Sequence, residues 1–382
     1  MIDFEALRAI GLGEAMRRQL EHGVADPRAR PMRVVEVQRA QLRLHDGAQQ
    51  HRATCLPSLA RELANRGDAL TVGDWVLART DGEPGCTVTC RLLPHSRITR
   101  RTSDGGRSRD QRGTAQRQVL VSNVDTALLV MGLDHDFQLR RLERYLALVQ
   151  LSGVAAVLLL SKADTVPPEL VAQRLAQVAD LLPQRLPALA LDLRDERTAS
   201  ALAAWLQPGQ TLVLLGSSGA GKSTLANTLS RTCGATALGG LTRGTGAVRA
   251  DDSRGRHTTT VRTLLPLAGG ACVIDTPGLR TLRLDVADAD QLADAFGDVA
   301  RHAPRCRFRD CRHQQEPGCA VRDAVAEPRL LNFQKLLREA SRDSQTVGER
   351  RAQRALWKAR GRAGQARAKA KRAVNSAGRG PD

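Results

Sequence analysis

The stretch "GSSGAGKST", Gly216 to Thr224, carries the sharpest chemistry in the chain. Gly216, Gly221, Lys222 and Ser223 fill the pattern G-x-x-x-x-G-K-[ST]. Glycines let backbone N–H groups turn inward around a β-phosphate, and Ser217, Ser218, Gly219 and Ala220 complete that turn. Lys222 reaches β- and γ-oxygens, and Ser223 ligates Mg²⁺. The following helix, with Thr224 in its first turn, aims its N-terminus at the anion. Apolar "TLVLL" before the loop and "TLANTL" after it give the strand–loop–helix context this chemistry needs. Some fifty residues later comes "DTPG", Asp275 to Gly278, at the end of another apolar run. A carboxylate there can hold the Mg²⁺ shell, and the Gly278 N–H can sense a γ-phosphate.

"SKAD", Ser161 to Asp164, is similar to the N-K-x-D base-reading motif of GTPases. A buried Asp164 can accept both the N1–H and the N2 amine of guanine, and it rejects adenine by being left unpaired. The stem of Lys162 would lie along the base, with Ala163 in the same turn. Ser161 stands where Asn is usual, and its shorter side chain is expected to lose contacts to the base and to neighbouring loops. Taken alone, such a tetrapeptide reads as a strand-end turn. Its position gives it weight. Base reader (161–164), a last loop near Leu191–Arg194, phosphate loop (216–224) and D-x-x-G (275–278) keep the cyclic order of a GTPase with only the start point moved. Termini of a domain often lie close together, so such a permutation costs little. A helix at 199–206 and the turn "QPGQ" would join the old termini.

"GRHTTT", Gly255 to Thr260, lies where a first switch belongs. Either Thr258 or Thr259 would complete the Mg²⁺ shell. Leu279 follows D-x-x-G where many GTPases carry a water-positioning Gln. Leucine cannot orient water, so unaided turnover should be slow. His257 is the best local substitute for that role.

Cys306, Cys311, His313 and Cys319 form C-x₄-C-x-H-x₅-C. Four soft ligands so close together suit a closed tetrahedral zinc site with a structural role. Redox chemistry by paired thiols is the weaker reading, because His313 completes the set. The other cysteines (Cys55, Cys86, Cys90, Cys233 and Cys272) lack histidine partners and read as core or incidental thiols.

Composition bounds the partners. The formal charge of +18 points to a polyanion, while 2% aromatic residues argue against base-stacking platforms and for phosphate contacts. No run of 18 apolar residues occurs, and "MIDFEALRAI" is no signal peptide, so a cytoplasmic protein without a membrane span is expected.

The elements that must position these residues follow from periodicity. Residues 1–32 read as an N-terminal extension. Short strand-like runs from Arg33, separated by turns such as "HDG" and "EPG", predict a barrel of about five strands, an OB-type fold being the expected kind. Arg-rich 97–117 reads as a basic linker or phosphate-contacting arm. From 119, strands alternate with helices, as in a parallel sheet covered on both faces. Residues 290–340 read as helical, broken by the Cys/His cluster. The Arg-, Lys- and Ala-rich tail 341–382 cannot build a core and is expected to be disordered. The resulting division is 1–32 extension, 33–118 barrel with linker, 119–289 nucleotide domain, 290–340 zinc domain and 341–382 tail.

The joint order of "VGDWV", "RRLERYL", "SKAD", "GSSGAGKST", "GRHTTT", "IDTPGLR" and "CRFRDCRHQQEPGCAV" resembles the circularly permuted, small-ribosomal-subunit-dependent GTPases of bacterial ribosome assembly. That resemblance implies an OB-fold, a permuted α/β P-loop GTPase domain and a C-terminal zinc domain. It implies GTP hydrolysis stimulated by the small subunit during its late maturation. It also implies the subunit's rRNA as partner, Mg²⁺ with GTP and one structural Zn²⁺ as cofactors, and supports His257 as the catalytic group. A monomer is expected. A passive rRNA-binding assembly factor that uses nucleotide only structurally is the alternative. A P-loop ATPase or kinase is a third reading, against which Asp164 argues.

Overall fold

The computed structural model describes residues 2–23, 26–38, 41–80, 85–102, 116–181, 186–234, 262–277, 283–284, 292–293 and 295–344. Five strands form the barrel: β1 (Ala29–Gln38), β2 (Gln41–His45), β3 (Gln50–Cys55), β4 (Trp75–Arg79) and β5 (Cys86–Arg91). They run in the order β1-β2-β3-β5-β4, and β4 returns to pair with β1. Only β3–β5 is parallel, which is the closed five-stranded order of an OB-fold. A helix joins β3 to β4 at Pro57–Asn65 (α3). It starts with proline at its first turn and buries Leu59 and Leu63 in the barrel core.

Ahead of the barrel lie α1 (Phe4–Arg8), capped by the Asp3 carboxylate, and α2 (Glu14–Glu21). Their Leu7, Met16 and Leu20, with Ile10 from the turn between them, pack with Trp75 and Leu77 of β4. Arg33 of β1 is fully buried here. Its guanidinium donates to the carbonyls of Ile10, Gly11 and Asn123 and to Thr211 Oγ1 at 2.6–3.1 Å. One side chain thus ties the N-terminal helices and the barrel to the next unit.

That unit is built on β8 (Thr126–Gly132), β9 (Ala155–Ser161), β10 (Ala188–Leu191), β11 (Thr211–Gly216), β12 (Thr263–Pro266) and β13 (Cys272–Asp275). The sheet order is β10-β9-β8-β11-β13-β12, parallel except for β12. β8 and β11 are buried along their whole length, as central strands covered on both faces must be. Helices α4 (Leu139–Gln150), α5 (Pro168–Leu181), α6 (Arg197–Ala201) and α7 (Lys222–Thr232) cover the faces. The chain moves outward from β8 in one direction and from β11 in the other. The switch point lies between them, where ligands of open α/β sheets bind. Barrel strand β1 also pairs antiparallel with β12 through Glu36 and Thr263, so barrel and sheet share one hydrogen-bonded edge.

Two sequence expectations change. The ends of the Arg-rich 97–117 segment are strands, β6 (Arg97–Thr102) and β7 (Gln116–Ser122), paired with each other and with the short β14 (Arg283–Leu284). Ile98 is fully buried and Arg97 pairs with Asp68 at 2.9 Å, so the charges cover a packed strand rather than a loose linker. The helix expected at 199–206 is a single short element, α6, after which the chain turns toward "QPGQ". C-terminal to the sheet come α8 (Gly297–His302), α9 (Ala320–Ala324) and α10 (Glu327–Ser344). Residues 103–115 and those from 345 on lie outside the described residues. No described helix is long and apolar enough to cross a membrane.

Candidate functional site

The phosphate loop leaves the centre of the sheet. A Cβ on Gly216 would come within 2.3 Å of the Val130 carbonyl oxygen on β8, so only glycine fits where the two strands approach. The loop turns through Gly219 and Gly221 at φ 82° and 99°, the left-handed region glycine enters freely. Lys222 opens α7 and is buried. Its Nζ donates to the Gly216 and Ser217 carbonyls at 3.1 and 2.6 Å, closing the loop on itself. Burial pushes the Lys222 pKa down to about 8, against the opposing pull of Asp275 and Asp136. An anion placed in the loop would favour its charged form. Ser218, Gly219 and Ala220 line the same turn, and Thr224 lies in the first turn of α7.

Beside the loop, Ser223 Oγ donates to Asp275 Oδ2 at 3.2 Å. Asp275 ends β13, fully buried, and the Thr276 hydroxyl behind it donates to the Leu214 carbonyl at 2.6 Å. A hydroxyl and a carboxylate side by side are two oxygen donors of the kind a hard octahedral cation takes. Gly278, His257, Thr258 and Thr259 lie outside the described residues, as does Leu279.

The base-reading segment meets this loop directly. Ser161, buried at the end of β9, donates from Oγ to the Ala220 carbonyl at 2.7 Å. The expected loss of neighbouring-loop contacts at this serine is thus offset by a bond to the phosphate loop itself. Lys162 adopts φ 62°, an unusual backbone for a non-glycine residue, and its Nζ reaches Asp134 at 2.7 Å. Ala163–Thr165 is a single 3₁₀ turn. Asp164 is not buried as expected. Its side chain is 30% exposed and pairs at 2.6 Å with Arg194, which also bonds Asp192. The loop after β10 therefore closes over the base reader, with Leu193 buried beneath it. Sequence reasoning missed Asp134 and Asp136, which belong to no motif yet touch both halves of the site.

The second candidate centre is metal-binding. Ligand atoms of Cys306, Cys311, His313 and Cys319 all lie within 4.8 Å of one another. His313 Nδ1 is 3.6 Å from Cys306 Sγ and 3.5 Å from Cys319 Sγ, and those sulfurs are 4.0 Å apart. Tetrahedral bonds of zinc length require separations of roughly 3.6 and 3.8 Å, so the donor set fits a four-coordinate ion. Cys319 also caps α9, accepting from the Arg322 N–H at 3.4 Å. The His313 carbonyl accepts from Gln334 of α10, which ties the ligand loop to that helix. No disulfide joins the eight cysteines.

Helix α10 docks this centre on the sheet unit. Leu330, Phe333 and Leu336 are buried, and Phe333 meets Phe296 edge-on at 5.3 Å. At the seam, Arg329 is buried between Glu143 of α4 (2.8 Å) and Asp298 of α8 (2.7 Å). Asn332 takes the other Glu143 oxygen at 2.6 Å, and Arg144 holds Glu339 through two bonds of 2.7 and 3.0 Å. Truncating one partner of such a buried ion pair typically costs about 3–5 kcal/mol, so the seam is a firm contact.

Known proteins fit this picture. The family described as RsgA GTPase matches residues 99–285. The small ribosomal subunit biogenesis GTPase RsgA of Xanthomonas axonopodis pv. citri is 41% identical over 348 residues, 88% of each chain. The crystal structure of YjeQ from Thermotoga maritima superposes with a TM-score of 0.59 at 20% identity, covering 82% of this chain and 98% of its own. That of YloQ, described as a circularly permuted GTPase, gives 0.56 at 18%, covering 85% and 99%. The two structures share the fold, and the sequence identity extends over nearly the whole chain. A phosphate loop wired after its own base reader, in a chain this similar, makes the protein a circularly permuted GTP-hydrolysing enzyme that belongs to the RsgA GTPase family.

Proposed function

We propose that the protein is a ribosome-biogenesis factor whose GTP hydrolysis is stimulated by the small ribosomal subunit, late in that subunit's maturation. The relatives' names support the subunit as partner, and a charge of +18 supports rRNA phosphates as the surface gripped. The single observation that carries the nucleotide reading is the 2.7 Å bond from Ser161 to Ala220, which joins base reader to phosphate loop. In this reading Gly216 to Thr224 cradle the phosphates. Ser223, Asp275 and Thr258 or Thr259 hold Mg²⁺. Ser161 to Asp164 read guanine, Gly278 senses the γ-phosphate and His257 orients water. Mg²⁺, if held there, would supply positive charge against the phosphates. Cys306, Cys311, His313 and Cys319 hold a structural Zn²⁺. The units are the extension 1–32, barrel 33–118, GTPase 119–289, zinc domain 290–340 and tail, in a cytoplasmic monomer.

The test is steady-state hydrolysis with and without purified small subunits, using ATP as control. GTP turnover rises strongly with subunits and ATP turnover does not. GTP that is bound but hydrolysed at one unchanging rate would instead favour a passive rRNA-binding factor.

The Asp164–Arg194 pair adds a prediction. Guanine must take the Asp164 carboxylate from an exposed guanidinium, and exposed pairs are weak. Arg194→Ala therefore tightens GDP binding, by at most roughly fivefold, measured by fluorescent-GDP titration. A variant that binds more weakly would make Arg194 a nucleotide ligand rather than a competitor.

A further inference from the structure

The loop Gly132–Phe137 connects β8 to α4 at the switch point of the sheet. β8 lies between β9, which ends in the base reader, and β11, which ends in the phosphate loop. Gly132 leaves room for the Asp134 carboxylate, since a Cβ there would come within 2.5 Å of Asp134 Oδ1. Two carboxylates then point in different directions. Asp136 Oδ2 accepts the Gly132 N–H at 3.0 Å, and its Oδ1 accepts the Ser217 hydroxyl at 2.6 Å. Arg141, on the first turn of α4, also bonds Asp136. Asp134 Oδ1 accepts the Asp136 N–H at 3.0 Å, and its Oδ2 accepts from Lys162 Nζ at 2.7 Å. The Leu133 N–H completes the bracket by donating to the Ser161 carbonyl at 3.0 Å.

We infer that Asp136 and Asp134 are positioning residues of the nucleotide site: Asp136 sets the phosphate loop through Ser217, and Asp134 sets the base-stacking stem of Lys162. The inference rests on the nucleotide reading above. Neither carboxylate is offered to the ligand. Asp136 is 9% exposed, with both oxygens already engaged. An acidic group this close to a polyphosphate site would repel the ligand if it faced it. Tied to Ser217 and Arg141 it instead acts on the loop. Burial pushes the Asp134 carboxyl up, but the Lys162 bond and the Asp136 N–H outweigh it and hold the group below the usual range. Asp134 is thus ionised when it meets Lys162. The two halves of the site come from opposite sides of the switch point, so a part bonded to both keeps the distance between guanine and phosphate fixed before ligand arrives.

The experiment is fluorescent-GDP titration of the full chain as parent, Asp136→Ala, Asp136→Asn, Ser217→Ala and the Asp136→Ala/Ser217→Ala double variant. Melting of the nucleotide-free proteins is recorded alongside, with Lys222→Ala as control. Asp136→Ala weakens binding roughly 10- to 100-fold, the range for a hydrogen bond to a charged group. Asp136→Asn recovers part of that loss, because its carboxamide oxygen still accepts from Ser217. The double variant is no weaker than Asp136→Ala, since both changes break one contact. Ser217→Ala leaves the Asp136 side chain and Arg141 in place. It weakens binding several-fold with an unchanged melting temperature, and it keeps the test decisive if Asp136→Ala does not fold. Parent-like binding by Ser217→Ala, or losses that multiply in the double variant, would overturn the inference. If Lys222→Ala also bound GDP like the parent, the nucleotide reading itself would fall; if it lost binding while Ser217→Ala did not, only the positioning role would.

Discussion

Lys222→Ala weakens GDP and GTP binding on the order of a hundredfold or more and removes hydrolysis, while the nucleotide-free fold loses little stability. The two halves of this expectation have one cause. The ammonium is buried among backbone carbonyls, and its pKa stands at about 8 instead of 10.5. At neutral pH the fold thus holds this charge at a cost of about 3 kcal/mol. The sign follows from proton counting. Between about 8 and 10.5 the unfolded chain binds more protons than the folded one, so this group makes folding less favourable below that window and ceases to do so above it. A phosphate reverses the balance by pairing with the charge the fold has already desolvated. Deleting the side chain removes that gain and the apo penalty together. Parallel GDP titration and thermal melting check the pair of outcomes. A variant that kept its affinity would rule out residues 216–224 as the phosphate site.

Preventing metal binding at the Cys/His cluster is expected to have the other large effect. The ligand loop between α8 and α9 is short and largely exposed, and its buried ligands are Cys319 and His313. Such a loop has little apolar core of its own, and structural zinc contributes about 10–16 kcal/mol in small modules. Strong chelation, or Cys319→Ala, therefore abolishes hydrogen-exchange protection over residues 303–325. The central strands β8 and β11 keep theirs, because their burial does not involve the ion. Helix α10 loses its Gln334 tie to His313 but retains the Arg329 and Phe333 contacts, so its protection falls only in part. Protection over 303–325 that survived chelation would show that the cysteines do not depend on an ion.

What could be read before folding was whatever chemistry fixes by residue type. Glycine at 216 and 221, Lys222 and Ser223 are the residue types a phosphate loop needs, and the structure brings Ser223 to Asp275; the bond from Ser161 to Ala220 goes against the expected loss of loop contacts at that serine. The Cys/His spacing likewise announced a cluster that the fold assembles. What could not be read depends on partners distant in sequence. Arg33 looks like any strand-edge arginine until Ile10, Asn123 and Thr211 surround it. Glu143 and Arg329 are 186 residues apart, and no local periodicity links them. Asp134 and Asp136 sit in an ordinary strand-end turn whose neighbours are set by sheet order alone. In strand β6, Arg97, Arg100 and Arg101 mask the buried Ile98 and Thr99, and so dense a charge resembles a linker. Helix α3 does carry a signal, Pro57 followed by Leu59 and Leu63 at helical spacing, but it is short and lies among strands.

Among the described residues one pairing, Glu36 of the barrel with Thr263 of β12, covers a margin of the sheet. An open parallel sheet ends in rows of unpaired amides, which invite intermolecular strand addition and aggregation. Here β12 is four residues long and closes with Pro266, which has no amide hydrogen to offer, while β1 covers its opening residue. The opposite margin, β10, is also four residues long. The barrel therefore covers part of the margin that strand addition from another chain would use. A chain shorn of its first ninety or so residues would keep the nucleotide loops and expose the β12 margin, together with the Asn123 carbonyl and the Thr211 hydroxyl that Arg33 now holds.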